Sequence, residues 1–405
     1  MTLSRRKFLA GGLGMFGAIL TADQIFAASA QAANPSGRQL VLIQLSGGND
    51  GLNTVIPYGA GAYYDARPQI AIAQKDVLHL NDALGLHPAM TALNDLYKEG
   101  KVAIIEGVGY PNANRSHFRS IEIWQTGETD KIGDTGWLGR YLDYASAGKE
   151  TSALPAVNVD PMLPKTLLAR KIVVPSVNNI YEFKFKTDPK FKKDHDLQID
   201  AFNDIYSNFD SNRPNADLLQ KAGKEANHAS DYLLKIVKSY KSTVKYPNGK
   251  LGDGLKFISQ MISGGVTAPV FTVSLDGFDT HANQQRAQSG LLKQLSDALS
   301  AFQNDLIAHN VDDKVLTMVF SEFGRRVQEN SGKGTDHGTA APLFLMGSSV
   351  KGGIYGETPS LTSLVSGDLK HTVDFRTVYA TVLDRWLGAD SNQILGHRYE
   401  TLPIV

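Results

Sequence analysis

The stretch that decides the predicted fold is Val315 to Gly338, VLTMVFSEFGRRVQENSGKGTDHG. Its first six residues, ending at Phe320, are nearly all apolar, which is typical of a strand in a parallel sheet covered on both faces. Glu322 follows just beyond the carboxyl end of this strand, where open α/β sheets bind their ligands. A polar loop with glycines then carries Asp336 and His337 towards the next apolar run. The stretch therefore predicts one buried strand and half of a metal site.

The same alternation of apolar runs and helical patterns extends through most of the chain. Further strands are predicted at Gln39 to Leu45, Val102 to Glu106, Ala156 to Val159, Lys171 to Pro175, Val270 to Leu275 and Ala341 to Met346. Helices are predicted at Met90 to Glu99, Phe118 to Thr126, Gln284 to His309 and Asp374 to Leu387. This order predicts an α/β fold, a mainly parallel sheet sandwiched by helices. A charged segment at about 181–262 is interpreted as a helical insertion or cap.

Composition limits the classes of function. The chain has 405 residues, with 41 lysines and arginines and 41 aspartates and glutamates, so its net charge of zero gives no basic surplus for binding nucleic acid. It contains no cysteine, which excludes disulfides and thiolate ligands. A metal ion in this protein must therefore be held by histidine, carboxylate, hydroxyl or water.

The N-terminus has the features of an export signal. Ser4 to Leu9, SRRKFL, carries a twin arginine, and Ala30 to Ala32 matches the A-x-A pattern of a cleavage site. We therefore expect residues 1–32 to be a twin-arginine signal peptide and 33–405 a single domain. No later stretch is long and apolar enough to span a bilayer, so the mature protein is expected in the periplasm or outside the cell.

Polar groups follow four of the predicted strands. They are Asp50, then Arg115, Ser116 and His117, then Asp279 and His281, and last Glu322 with Asp336 and His337. Oxygen and imidazole ligands without thiolates suit one or two divalent ions of zinc, manganese, magnesium or calcium. Ser116 would be a nucleophile activated by the metal, and Arg115 or Arg325 would hold an anionic substrate.

Each of these residues also has a purely structural interpretation. Asp50 could cap a turn, and Ser116 could be the N-cap of the following helix. Glu322 could form a salt bridge with Arg325 or Arg326. His117 is interpreted as a loop histidine in preference to a ligand, whereas the spacing of Asp279 and His281 places both on one side of an extended segment.

Five motifs together resemble a known family. They are SGGNDGLNTVIPY, GYPNANRSHFRS, LDGFDTH, SEFGRR and GTDHG, in this order behind the twin-arginine signal. The chain resembles the bacterial exported family called domain of unknown function 1501, which is grouped with the alkaline phosphatase-like superfamily of phosphatases, arylsulfatases and phosphomutases. The resemblance implies an alkaline phosphatase-like core with two metals at the strand ends.

The resemblance also implies roles for single residues. Asp50 matches the ligand after the first strand and Ser116 the nucleophile, while Asp279, His281 and His337 match one metal site. Glu322 matches an aspartate of the second site, but Phe323 stands where the superfamily commonly has a histidine, so that site needs Asp336, His117 or a water to replace a ligand.

Two hypotheses follow from these patterns. The first is an exported, metal-dependent hydrolase of phosphate or sulfate esters, with a small anionic ester as substrate. The second is a non-catalytic exported protein that keeps the fold and one structural metal and binds a partner protein.

Overall fold

The computed structural model describes residues 36–148, 154–177, 180, 189–207, 230 and 232–405. The predicted signal peptide lies outside the described residues, as do residues 181–188 and 208–229 of the predicted insertion.

The described residues form strands and helices throughout. In chain order the strands are β1 (Gln39–Ser46), β2 (Val55–Ile56), β3 (Leu78–His79), β4 (Gly85–Leu86), β5 (Val102–Gly109), β6 (Val157–Asn158), β7 (Val270–Asp276), β8 (Val315–Ser321), β9 (Arg325–Glu329), β10 (Thr335–His337), β11 (Ala341–Met346), β12 (Gly353–Tyr355) and β13 (Val373–Asp374). The α-helices are α1 (Gly61–Ala66), α2 (Thr91–Lys98), α3 (His117–Thr126), α4 (Trp137–Ala145), α5 (His195–Ser207), α6 (Lys250–Ser263), α7 (Gln284–Ala308), α8 (Phe375–Thr381) and α9 (Ser391–Leu395).

Eight of the described strands form the central sheet, in the order β12-β5-β11-β8-β1-β7-β6, with β13 also paired to β5. The pairs β1–β7, β1–β8, β6–β7, β12–β5 and β13–β5 are parallel, and β11 runs antiparallel to both β5 and β8. This confirms the predicted α/β class with a mainly parallel sheet. A separate antiparallel pair, β9 and β10, forms a hairpin directly after β8.

Helices cover both faces of the sheet, because alternate residues of each buried strand point to opposite sides. On one face Val41 and Ile43 of β1 pack in a core with residues of α2, α6 and α7. On the other face Leu40 and Leu42 pack with residues of α3, α4 and α8. The two cores fix the strand order and hence the positions of the loops at the strand ends.

The predicted elements agree with the structure except at a few places. Lys171 to Pro175 forms no strand; only Ser176 makes an isolated bridge, to Asn158. The last predicted helix is divided, since α8 ends at Thr381 and a π-helix, Val382–Trp386, continues it.

Helix α6 belongs to the layer that covers the sheet, although its sequence lies almost entirely within the segment predicted to be an insertion. Nine of its fourteen residues are buried, and it packs against β7 and α7. Among the described residues, no helix combines the length and the apolar character that a membrane span needs.

Candidate metal centre

Loops from three strand ends and one hairpin meet at one edge of the sheet. Strand β7 leads to Asp279 and His281, and β8 leads to Glu322. The β9–β10 hairpin presents His337, and the loop after β5 leads to His117 at the first turn of α3. The parallel strands β1, β7 and β8 end at this edge, which is the expected place for a ligand site in a sheet of this kind.

The centre of the cluster is the carboxylate of Asp279. Its Oδ1 lies 3.0 Å from His281 Nε2 and 3.1 Å from His337 Nε2, and the two imidazole nitrogens are 3.0 Å apart. Ligand atoms that bind zinc at about 2.0–2.2 Å in a tetrahedral or octahedral arrangement are themselves about 3 Å apart. The three atoms therefore have the spacing of one face of a metal coordination sphere.

His117 lies next to the other oxygen of the same carboxylate. Its Nε2 lies 3.5 Å from Asp279 Oδ2, is buried, and has no hydrogen-bond partner. His117, Asp279 and His337 each place one ligand atom within 4.8 Å of the others, so this group could hold a metal ion. A buried imidazole nitrogen without a partner next to a carboxylate is a costly arrangement that a bound cation would relieve.

The Nδ1 atom of each of the three imidazoles lies close to an oxygen atom of another residue. His117 Nδ1 lies 2.9 Å from Glu322 Oε1, and His337 Nδ1 lies 2.8 Å from the carbonyl oxygen of Arg115. Because a carboxylate and a carbonyl only accept hydrogen bonds, Nδ1 carries a proton in both rings, so the lone pair of the neutral ring is on Nε2. His281 Nδ1 lies 3.4 Å from Asp336 Oδ1. Metal-bound histidines in proteins have outer partners of this kind.

The charges of the cluster are arranged to keep Asp279 ionised. Although burial alone would raise the pKa of Asp279, the hydrogen bond from Arg325 and the contact with His337 lower it to about 2. A hydrogen bond from Asn330 likewise lowers the pKa of Asp336. Both carboxylates are therefore negative at neutral pH and available to a cation.

Phe323 fills the space beside the cluster. Its buried ring has its centroid 4.9 Å from that of His117 and 4.8 Å from that of His337. On the side of β1, a Cβ at Gly48 would overlap the ring. The phenylalanine ring therefore packs against two imidazoles and lies between the cluster and the end of β1.

Comparison with known proteins identifies the family. The family model described as "Protein of unknown function (DUF1501)" matches residues 37–398. The chain belongs to this family. No curated protein sequence matches the chain.

Solved structures with a similar chain trace include sulfatases and the periplasmic domain of a protein named EptC. A sulfatase from Pseudoalteromonas sp. is 11% identical, with 94% of this chain and 74% of the sulfatase covered and a TM-score of 0.40. The C-terminal periplasmic domain of EptC from Escherichia coli, solved in complex with zinc, is 10% identical, with 77% and 73% covered and a TM-score of 0.33. These scores are too low to assign an activity to this member of the DUF1501 family.

The structure places Glu322 differently from the sequence interpretation. Its side chain is completely buried, and Oε1 accepts hydrogen bonds from the backbone N–H of Gly47 and from His117 Nδ1. Glu322 therefore lies behind His117 and orients it, whereas the residue predicted as a loop histidine takes the position facing Asp279. The sequence signal for His117 was its position directly after Ser116, beyond the end of β5.

Asp50 is not part of the cluster. Its buried Oδ2 forms an ion pair with Arg67 Nη1 at 2.6 Å and accepts a hydrogen bond from Gln284 Nε2. The structure therefore does not bring Asp50 to this cluster of the DUF1501 protein as a metal ligand, contrary to the sequence prediction. Its carboxylate already has a cationic partner, 17 residues away in the chain.

Arg325 does not face a substrate. Its guanidinium is buried, and all three of its nitrogens donate hydrogen bonds, to the carbonyl oxygens of Gly47, Gly48, Phe278 and Thr335 and to Asp279. Arg325 thus fixes the position of Asp279 and cannot also hold an anion.

Ser116 and Arg115 lie at the open side of the cluster. Ser116 is exposed at the N-cap position of α3, and its hydroxyl makes no capping hydrogen bond. The Arg115 side chain is 42% exposed and lies 3.3 Å from Asp368 Oδ2, while its carbonyl oxygen binds His337. Both residues are therefore joined by the backbone to ligand positions and remain accessible from solvent.

Proposed function

We propose that this chain is an exported hydrolase of phosphate or sulfate esters that uses one divalent metal ion. The observation that carries the proposal is the convergence of three imidazole Nε2 atoms on the carboxylate of Asp279, with each Nδ1 held by an outer partner. Histidines that only stabilise a fold have no need of this common orientation. The twin-arginine segment supports the export part of the proposal.

The donor set favours a zinc-class ion. Imidazole suits zinc, iron, copper and nickel, whereas magnesium and calcium prefer sites made only of oxygen. His117, His281, His337 and Asp279 would hold the ion. The ring of Phe323 occupies the side where a second ion would need ligands, which supports one ion over two.

Each nearby residue of the chain has a role in the proposed reaction. A bound ion would supply Lewis-acid stabilisation of the negative charge that develops on the ester. Ser116 would attack phosphorus or sulfur and displace the alcohol of the ester, which takes up the proton that the serine loses, and water would then release phosphate or sulfate from the serine. Arg115 would exchange its contact with Asp368 for the substrate anion.

A hydrolysis assay with a matched variant tests this proposal. We would measure release of nitrophenol from nitrophenyl phosphate and nitrophenyl sulfate by the zinc-loaded mature chain. Ser116→Ala should lose turnover and keep its zinc. Ser146→Ala, at the C-terminal end of α4, is the control because it removes another partly exposed hydroxyl of a helix terminus, and it should keep full activity.

Two results would contradict the proposal. Full activity of Ser116→Ala would exclude the serine as the nucleophile. Zinc binding with no hydrolysis of any ester would exclude the hydrolase function. The protein would then be the non-catalytic binding protein of the second hypothesis.

A further inference from the structure

Asp50 is at the centre of a buried polar network between the end of β1 and the start of α7. Its Oδ2 accepts hydrogen bonds from Arg67 and Gln284, whose side chains have no exposed surface. Its carbonyl oxygen accepts another from Gln288 Nε2 at 2.9 Å. A fully buried carboxylate is costly unless it is paired and hydrogen-bonded, and no hydrogen bond from the described residues reaches Oδ1, so the contacts of Oδ2 define the conformation of the segment around it.

Gln284 connects this network to both loops that carry the metal centre. Its Oε1 accepts hydrogen bonds from Thr280 Oγ1 at 3.1 Å and from Thr335 Oγ1 at 2.6 Å. Thr280 lies between Asp279 and His281 in the chain, and Thr335 begins the strand that ends at His337. One amide oxygen therefore joins the two segments whose ligand atoms must stay about 3 Å apart.

The carboxylate of Asp50 determines which way this amide points. An ionised carboxylate only accepts hydrogen bonds, so Gln284 must present its NH₂ group to Asp50 and its oxygen to the two threonine hydroxyls. Arg67 also connects Asp50 to the β9–β10 hairpin, because it donates hydrogen bonds to the carbonyl oxygens of Arg326 and Val327 at 2.8 Å each.

We propose that Asp50 and Gln284 are positioning residues of the metal centre, which hold the loop of Asp279 and His281 in register with the loop of His337. The inference rests on the metal ion of the proposed function. Metal ligands need placement to within about 0.5 Å, and loss of an outer partner typically weakens metal binding about 10–100-fold.

The test compares two glutamine-to-methionine variants on the same helix. Gln284→Met removes the amide and keeps the length of the side chain. Gln303→Met makes the same change at another buried glutamine of α7, whose amide donates to Ser348 Oγ, about 28 Å further along the helix. The measurement is the zinc affinity of the metal-free mature chain, by competition with a chelator, together with its unfolding in urea.

We expect Gln284→Met to bind zinc about 10–100-fold more weakly than the wild type, with Gln303→Met unchanged. If Gln284→Met does not fold, Thr335→Val removes one hydroxyl of the link with little change in shape, and it should weaken zinc binding several-fold.

Equal zinc affinities of the wild type and the Gln284 or Thr335 variant, beside a loss of urea stability, would overturn the inference and leave the network purely structural. Zinc binding without ester hydrolysis would refute the proposed hydrolase but not the positioning role. A wild-type chain that binds no zinc would refute both.

Discussion

Replacement of Glu322 by glutamine should weaken metal binding with little effect on the fold. The side chain is completely buried, and its Oε1 lies 2.9 Å from His117 Nδ1, so it orients the ring whose Nε2 faces Asp279. Glutamine keeps an acceptor oxygen at this place but removes the negative charge. The change therefore tests the electrostatic part of the contact separately from its geometry.

The expected magnitude follows from the strength of the hydrogen bond. A bond to a charged group contributes about 1.5–3 kcal/mol and a neutral one about 0.5–1.5 kcal/mol, so the substitution should cost the metal complex about 1–1.5 kcal/mol. Since about 1.4 kcal/mol is a factor of ten, zinc affinity should fall roughly tenfold. The buried carboxylate has no cationic partner among the described residues. Its loss should therefore leave the free energy of unfolding of the metal-free chain within about 1 kcal/mol of the wild-type value.

The assay is a zinc titration of the metal-free mature chain against a competing chelator, with urea unfolding as the measure of stability. Glu106→Gln is the matched control, because Glu106 is another buried glutamate near the end of a strand of the same sheet, outside the cluster. An unchanged zinc affinity of the Glu322 variant, or an equal loss in the Glu106 variant, would refute the reasoning that Glu322 acts on the metal through His117.

Three further predictions address other parts of the molecule. Ser116→Ala should change the free energy of unfolding by less than about 0.5 kcal/mol, measured in urea, because the exposed hydroxyl makes no capping bond. Burial raises the pKa of Glu106 to about 7 from 4.5, so the unfolded chain releases this proton first as the pH rises. Stability should therefore fall between about pH 4.5 and pH 7, by roughly 2–3 kcal/mol, and Glu106→Gln should remove this slope in urea unfolding measured across the range. Gly48→Ala should both destabilise the chain and weaken zinc binding, since the residue has a φ of +76° and its Cβ would push Phe323 towards His117 and His337.

Each of these three has a contradicting result. A large loss of stability in Ser116→Ala would show that the serine has a structural contact. If the free energy of unfolding of Glu106→Gln depends on pH as steeply as that of the wild type, another group causes the pH dependence. Normal zinc binding by Gly48→Ala would show that the position of Phe323 does not affect the cluster.

The sequence predicted the elements that depend on local pattern. Strands such as β8 and β11 are continuous apolar runs because both faces of the sheet are covered, and this pattern can be read without the fold. Lys171 to Pro175 has a similar apolar centre but forms no strand, and pairing with β6 is limited to the isolated bridge between Ser176 and Asn158.

The site was predictable where ligands follow a strand end or lie on one loop. Asp279, His281 and His337 were expected together and lie within hydrogen-bond distance of each other. The exchange of roles between Glu322 and His117 depends on how α3 packs against the end of β8, 205 residues away in sequence. The partner of Asp50, Gln284, is 234 residues away, and no local pattern indicates such a contact.

The most direct test of the account is the metal content of the mature chain, measured by elemental analysis beside a His281→Ala, His337→Ala double variant. One zinc-class ion is expected per wild-type chain and none in the variant, because the variant loses two of the three imidazoles around Asp279. A wild-type chain that takes up no zinc, manganese, magnesium or calcium after incubation would contradict it, and so would a double variant that retains the ion.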